Sequence, residues 1–332
     1  MTREQGAAPG GATSVAVAVD VGGTSMKCAL VDTAGAVRHT ERHPAGRERG
    51  PDAVVSTIVE VAAGLAERAR AEGLRPAAAG VVVPGVVDEV AGIAQWSANL
   101  GFRGVPLRDL VANRLDLPTA LGHDVRAGAL AEARLGAGRE ARRMYFVAIG
   151  TGIAGGYVVD GRVDAGAHGA SGEIGHIVVR TGPNAPECGC GARGCLEALA
   201  SASSIARAYA ARQAGAPYSS QGDGGVPLHT PAEKVAQRAA AGEPEAAAVW
   251  GEAVAALADG LLTGIALYDP EVIVIGGGLA EAGSVLLDPL REALEGRRTF
   301  HRLPTLTRAQ LGDGAGCLGA ALLAFDLIGA AS

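Results

Sequence analysis

The sequence predicts an α/β protein made of two related α/β halves. Three observations carry this prediction. Short runs of Val, Ile and Ala of buried-strand character alternate with longer stretches of helical period. A strand, a Gly- and Thr-containing turn, a second strand and a hairpin occur twice, about 130 residues apart. The chain has 332 residues, more than the roughly 250–300 over which a single core keeps growing.

The first half opens with the strand Val15–Val19, which runs into Asp20-Val-Gly-Gly-Thr24. A second strand follows at Cys28–Val31, Asp32–Gly35 turns the chain, and Val37–His43 reads as a third strand, so an antiparallel meander is expected. Pro51 opens a helix to about Glu72, with Val54, Val55, Ile58, Val61, Ala62 and Leu65 at helical spacing. Ala78–Val83 is a buried strand stopped by Pro84-Gly85. Leu107–Leu115 is helical, Thr119–Leu121 a short strand and Val125–Leu135 a helix.

The pattern then restarts. Met144–Ile149 is a buried strand ending in Gly150-Thr-Gly152, Ile153–Val159 is its neighbour, Asp160-Gly161 is a tight turn, and a third strand begins near Val163. Glu173–Val179 is strand-like, and residues 181–197 form a Cys-rich loop. Ser201–Arg212 is helical, and Ala214–Thr230 is a polar, Gly-rich, mobile loop. Pro231–Leu267 is helical with a break at Gly242-Glu-Pro244. Val272–Ile275 is a strand running into Gly276-Gly-Gly278 and a helix; Thr305–Leu311 is the last strand and Cys317–Ile328 the closing helix.

Composition narrows the function. Hydrophobic residues make up 48% and charged residues 19%, too apolar a balance for a disordered chain. The net charge of −6 and the scatter of basic residues argue against nucleic acid as a partner. Lys27 and Lys234 are the only lysines; Arg, Ala and Gly dominate as in a GC-rich coding sequence, so no Arg is singled out by identity alone. No apolar run approaches the roughly 18–20 residues that span a bilayer, so no membrane is expected. Residues 1–14 are polar and Gly-rich, without the apolar stretch of a signal peptide, and read as a disordered tail on a cytoplasmic protein. An odd count of five cysteines points away from a disulfide scaffold.

Five motifs carry chemistry. In Asp20-Val-Gly22-Gly23-Thr24-Ser-Met-Lys27, glycines after a strand let backbone N–H groups approach an anion, Thr adds a hydroxyl, and Asp20 suits a hydrated Mg²⁺; a plain β-turn is the other reading. Gly150-Thr151-Gly152 sits at the matching place in the second half, and two such turns together favour a nucleotide polyphosphate. Gly276-Gly277-Gly278 either makes room for a flat ligand or forms a tight strand–helix turn. His176, Cys188, Cys190 and Cys195 offer one imidazole and three thiolates, a tetrahedral set for structural zinc, with no open position at which to activate water. Such a knuckle would also fix Glu173 and Glu197. His123-Asp124 lies where a strand meets a helix; Asp124 is either a helix cap or a general base.

Together, Asp20-x-Gly-Gly-Thr, Gly150-Thr-Gly152, Gly172-Glu-Ile-Gly-His176, the Cys188–Glu197 knuckle and Gly276-Gly-Gly278 resemble the ROK family (repressors, open reading frames, sugar kinases), over about residues 15–328. The resemblance implies an actin/hexokinase-like (ribonuclease H-like) fold of two α/β domains hinged around a cleft. The domains would be residues 15–123, completed by a C-terminal helix at 317–330, and 124–316 with the knuckle at 176–195. It implies ATP and Mg²⁺, structural Zn²⁺, and transfer of a phosphoryl group to a hexose hydroxyl, foremost O6 of glucose. Asp124 matches the family's catalytic aspartate. Glu173, His176 and Glu197 match its sugar ligands, His176 also holding zinc through its other ring nitrogen. Gly85 and Asn99 match regions lining the sugar pocket. Gly22, Gly23, Thr24 and Gly150–Gly152 match the phosphate loops, and Gly276–Gly278 the adenosine side. Relatives of this kind are dimers or tetramers, so a homo-oligomer is expected.

One departure stands out. The family's aspartate usually follows an Asn that hydrogen-bonds the sugar, and His123 occupies that place. Imidazole is bulkier and has a different donor pattern, which leaves N-acetylmannosamine, N-acetylglucosamine, fructose or a cyclitol as alternative acceptors. A polyphosphate donor in place of ATP would want a basic track. The family's repressors carry an N-terminal helix-turn-helix segment; with 14 residues before the first strand, none is expected here.

Overall fold

In the computed structural model, residues 12–216 and 230–330 are described. Residues 1–11 of the expected tail, and residues 217–229 of the expected loop, lie outside them. The tail is shorter than expected: the first strand starts at Ser14, and the Arg75 N–H donates to Thr13 O at 2.9 Å. The chain forms two compact units, Met1–Ala127 with Gly316–Ser332, and Gly128–Ala315.

The first unit contains β1 (Ser14–Val21), β2 (Ser25–Asp32), β3 (Val37–Pro44), α1 (Pro51–Ala71) and β4 (Arg75–Val83). Then come β5 (Val86–Asp88), β6 (Ile93–Ser97), β7 (Phe102–Val105), α2 (Leu107–Leu115), β8 (Thr119–His123) and α3 (Asp124–Leu135), whose first turn belongs to this unit. The main sheet has the order β3-β2-β1-β4-β8, antiparallel through β1 and parallel beyond it. The Val-Ala alternation of β1 explains its two faces. Val15, Val17 and Val19 join the cluster holding Val54, Ile58 and Leu65 of α1. Ala16 and Ala18 join the one holding the C-terminal helix, Ala315–Leu327. Small side chains let that helix approach closely, and at Gly80 a Cβ would lie 1.9 Å from Ala320 O. The three short strands β5, β6 and β7 form a separate sheet that no periodicity announces, because runs of 3–5 residues are too short to show one.

The second unit contains the rest of α3, then β9 (Arg143–Ile149), β10 (Ile153–Val159), β11 (Arg162–Asp164), α4 (Leu196–Ala200) and α5 (Ala202–Gln213). It continues with α6 (Ala232–Ala240), α7 (Pro244–Tyr268), β12 (Val272–Gly276), α8 (Ser284–Arg297) and β13 (Thr305–Arg308); the C-terminal helix is then α9. The sheet order, β11-β10-β9-β12-β13, repeats that of the first unit strand for strand.

Four local expectations are corrected. Residues 173–179 are not a strand but a 3₁₀ turn, Ile174–His176, plus an isolated bridge from Val178 to Cys195. The segment lies flat against β10, joined by one backbone hydrogen bond, Gly155 N–H to Gly172 O at 2.7 Å, and not by a ladder: a Cβ on Gly172 would lie 2.0 Å from Gly155 O, and one on Gly175 2.1 Å from Ile153 O. The helix after Gly278 begins only at Ser284, following a 3₁₀ turn over Gly278–Ala282. The last strand ends at Arg308 rather than Leu311. Helix α7 is long and apolar enough, by length and composition, to cross a membrane, contrary to the expectation that no run comes near. Of its most apolar 18-residue window 61% is buried. Gly260 seats Leu196 and Gly264 seats Tyr145 against it, and Leu257, Leu261 and Ile265 complete that core.

Candidate active site

In the first unit, the strands extend further than expected, so Asp20 and Lys27 lie on the sheet as register partners, with the ammonium 4.0 Å from the carboxylate. Only Gly22–Thr24 form the turn, closed by Gly22 N–H donating to Ser25 O at 2.9 Å. A Cβ on Gly316 would lie 2.3 Å from Asp20 Oδ2, so the helix start can meet the carboxylate only because that residue is glycine. A carboxylate at a strand end beside a Gly-rich turn fits a hydrated magnesium on a polyphosphate.

Gly85 has φ +107°, and a Cβ there would lie 2.2 Å from Trp96 O, so glycine alone allows the chain to turn across β6. Asn99 is exposed and its Cβ lies 3.7 Å from where a Cβ on Gly23 would stand. The Gly22–Thr24 turn and the predicted acceptor segment are therefore neighbours.

His123 ends β8 and Asp124 begins α3. His123 acts as the helix cap: its Nδ1 accepts from the Arg126 N–H at 3.4 Å. Asp124 is partly exposed; its Oδ1 accepts from the Val125 N–H at 2.7 Å and lies 3.4 Å from His123 Nδ1. Two residues that sequence reasoning passed over meet here. Glu89 Oε1 accepts from Arg126 Nε at 3.1 Å and Nη2 at 2.8 Å, and from the His123 N–H at 3.3 Å. The Arg-rich composition hid Arg126, and no local pattern links residues this far apart in the chain.

In the second unit, Gly150 N–H donates to Gly152 O at 2.9 Å, and Ala202 N–H to Gly150 O at 2.8 Å, leaving Thr151 exposed. Glu197 lies against this turn: its Oε2 accepts from the Ile153 N–H at 2.9 Å, and a Cβ on Gly152 would stand 2.4 Å from it. Glu173 and His176 are both exposed, with Oε2 and Nε2 3.9 Å apart. The other ring nitrogen, Nδ1, lies 3.7 Å from Cys188 Sγ. Cys190 and Cys195 Sγ are also 3.7 Å apart, and the ligand atoms of all four residues lie within 4.8 Å of one another. Sulfurs about 2.3 Å from a tetrahedral zinc stand about 3.8 Å apart, so the cluster is compatible with that ion. Burial pushes the Cys188 thiol up and Cys195 up to about 12, whereas the Ala192 backbone N–H draws Cys190 down.

Gly276–Gly278 line a pocket of about 360 Å³. A Cβ on Gly276 would lie 2.6 Å from the Phe146 ring, and one on Gly277, at φ +78°, 2.4 Å from Ile149 O. Phe146, Ala309 and the Glu281–Arg308 ion pair (3.3 Å) also line it. None of these four carries a sequence signal; they reach the pocket because β9, β12 and β13 run side by side.

The ROK family profile matches residues 16–326. The chain is 33% identical to a glucokinase of Thermotoga maritima, over 94% of this chain and 98% of that protein. It is 33% identical to an N-acetylmannosamine kinase of Citrobacter koseri, over 93% of this chain and 98% of that protein. The crystal structure of a ROK family glucokinase from Streptomyces griseus in complex with glucose and AMPPNP superimposes with a TM-score of 0.76 at 29% identity, covering 94% of this chain and 99% of that one. The duplicated sheets are those of the actin/hexokinase-like fold, and the chain belongs to the ROK family.

Proposed function

We propose that this protein is an ATP-dependent sugar kinase that phosphorylates a hexose hydroxyl, foremost O6 of glucose. The observation that carries the reading is full-length similarity to a glucokinase, joined to a ROK relative crystallised with glucose and AMPPNP. We assign the site residues as follows. Asp124 accepts the proton of the attacking hydroxyl, and its place in the first turn of α3 leaves the carboxylate partly open to an acceptor. Gly85, Asn99, His123, Glu173, His176 and Glu197 hold the other hydroxyls and so set the reacting oxygen in line with the γ-phosphorus. The turns at Gly22, Gly23 and Thr24 and at Gly150, Thr151 and Gly152 cradle the phosphates, with the two threonines adding hydroxyls, Lys27 lends a cation, and the Gly276–Gly278 pocket takes the adenosine. Bound magnesium would be held near Asp20 and supply charge neutralisation on the phosphates. Zinc held by His176, Cys188, Cys190 and Cys195 would be structural, since four protein ligands leave no open position. The domains are proposed to correspond to the two compact units, so that the boundary expected at 123/124 falls instead after Ala127, within α3; the enzyme is proposed to be cytoplasmic and a homo-oligomer.

N-acetylmannosamine as acceptor is the second reading, favoured by equal identity to a kinase of that name and by the imidazole at position 123. A coupled ADP-release assay over hexoses, amino sugars and cyclitols separates the two: glucose is expected to give the highest kcat/KM, and a clear preference for an N-acetylated sugar would replace it. Asp124→Asn is expected to lower kcat by about 10²–10⁴-fold with little change in sugar affinity. Full turnover in that variant would remove Asp124 from the mechanism.

A further inference from the structure

Glu89 stands in the turn between β5 and β6, on the segment that also carries Gly85 and Asn99. Three hydrogen bonds brace that turn. The Ala91 N–H donates to Asp88 Oδ1 and the Gly92 N–H to Asp88 O, both at 2.8 Å. Arg108 Nη1 donates to Val90 O, also at 2.8 Å. From this fixed base the Glu89 carboxylate reaches the start of α3, and a single oxygen receives three donors there. The donors belong to residues 123 and 126, so the two anchored positions bracket Asp124. The Arg126 side chain is 3% exposed. A cation so buried is strongly destabilising without its counter-charge, which makes the pair a fixed strut rather than a surface contact.

We propose that Glu89 is a positioning residue that acts through Asp124: it ties the acceptor segment 85–99 to the first turn of α3 and holds the base in register with the bound hydroxyl. The inference rests on the reading of Asp124 as the base. A proton acceptor must lie within hydrogen-bond reach of its donor, and a displacement of about 1 Å costs about 10²-fold in rate. A strut joining the segment that binds the acceptor to the helix that carries the base supplies that tolerance.

The test is a double-mutant cycle in kcat, measured per folded, metal-loaded enzyme: Glu89→Gln alone, Asp124→Asn alone, and both together. Glu89→Gln is expected to lower kcat about 10- to 100-fold and to leave KM for ATP within about threefold. In the Asp124→Asn background the same substitution is expected to change kcat less than about twofold, because the group it positions is gone. Equal losses in the two backgrounds, or no loss in the first, would overturn the proposal. Arg126→Lys keeps the buried charge but removes the second donor, and it gives the same pattern should Glu89→Gln fail to fold. A fully active Asp124→Asn enzyme would instead overturn the base assignment itself, so the two failures are distinguishable.

Discussion

One carboxylate shows how a single residue is held by backbone amides as well as by a side chain. Asp32, the last residue of β2, accepts from the Ala34 and Ala36 N–H groups at 3.0 and 2.9 Å and from Arg38 Nε at 2.8 Å. Burial works to raise its pKa, but the Ala36 amide, the Arg38 guanidinium and the Ala34 amide outweigh it and hold the carboxyl below the usual carboxylate range. A group depressed in the folded state contributes stability above its unfolded pKa, and that stability is lost as pH falls through the folded value. Asp32→Asn is therefore expected to destabilise at neutral pH by about 1–3 kcal/mol and to flatten the acid limb of stability against pH. Urea titrations at several pH values check this, and parallel curves for the two proteins would contradict it. At the knuckle, Cys190→Ala removes one of four thiolate or imidazole donors, so zinc and sugar binding are expected to fall together, read by metal analysis and sugar titration. Retained sugar affinity without zinc would separate the knuckle from the acceptor. The knuckle residues are legible in the sequence because their spacing is local. Glu89 and Arg126 are not, because their meeting depends on β5 and β8 being brought together by the fold.

Among the elements, the strands and long helices of both halves are readable, since Val-Ala alternation and helical spacing persist over enough residues to show a period. The failures have named causes. Glu173–Val179 carries strand-like composition, yet Gly172 and Gly175 bring it flat against β10, where one backbone hydrogen bond, Gly155 N–H to Gly172 O, stands in place of a ladder. The contact of α9 with the first sheet is a similar case, in which glycine marks a meeting of backbones. Its helix rests on Gly80 of β4, where a Cβ would come within 1.9 Å of a backbone oxygen that cannot swing aside, and on Gly122 of β8, where it would meet the Leu323 side chain at 2.5 Å. Gly80→Ala is expected to cost about 1–3 kcal/mol from overpacking, while Gly122→Ala costs less, because a leucine can change rotamer. Midpoints of urea unfolding at unchanged slope measure both, and a Gly122 variant weaker than the Gly80 one would refute the ranking.

For the molecule as a whole, the repeated sheet order means that each unit has its own core, one centred on β1, β4 and α1 and the other on β9, β12 and α7. The proposed groups are divided between them: the Gly22–Thr24 turn, Gly85, Asn99, His123 and Asp124 in the first unit, and the Gly150–Gly152 turn, Glu173, His176, Glu197 and the Gly276–Gly278 pocket in the second. A ligand held only by the native state raises stability by RT ln(1 + [L]/Kd), about 2.7 kcal/mol at a hundredfold excess over Kd. Glucose with a non-hydrolysable ATP analogue and magnesium is expected to raise the unfolding midpoint by several degrees. The expected gain exceeds that from N-acetylmannosamine at the same concentration. Because phosphoryl transfer holds the acceptor hydroxyl against the γ-phosphate, the pair should also stabilise more than the sum of each alone. Calorimetric scans with each ligand singly and together test the claim. An additive result would mean that the two ligands bind without coupling, and a larger shift with N-acetylmannosamine would move the acceptor assignment to that sugar.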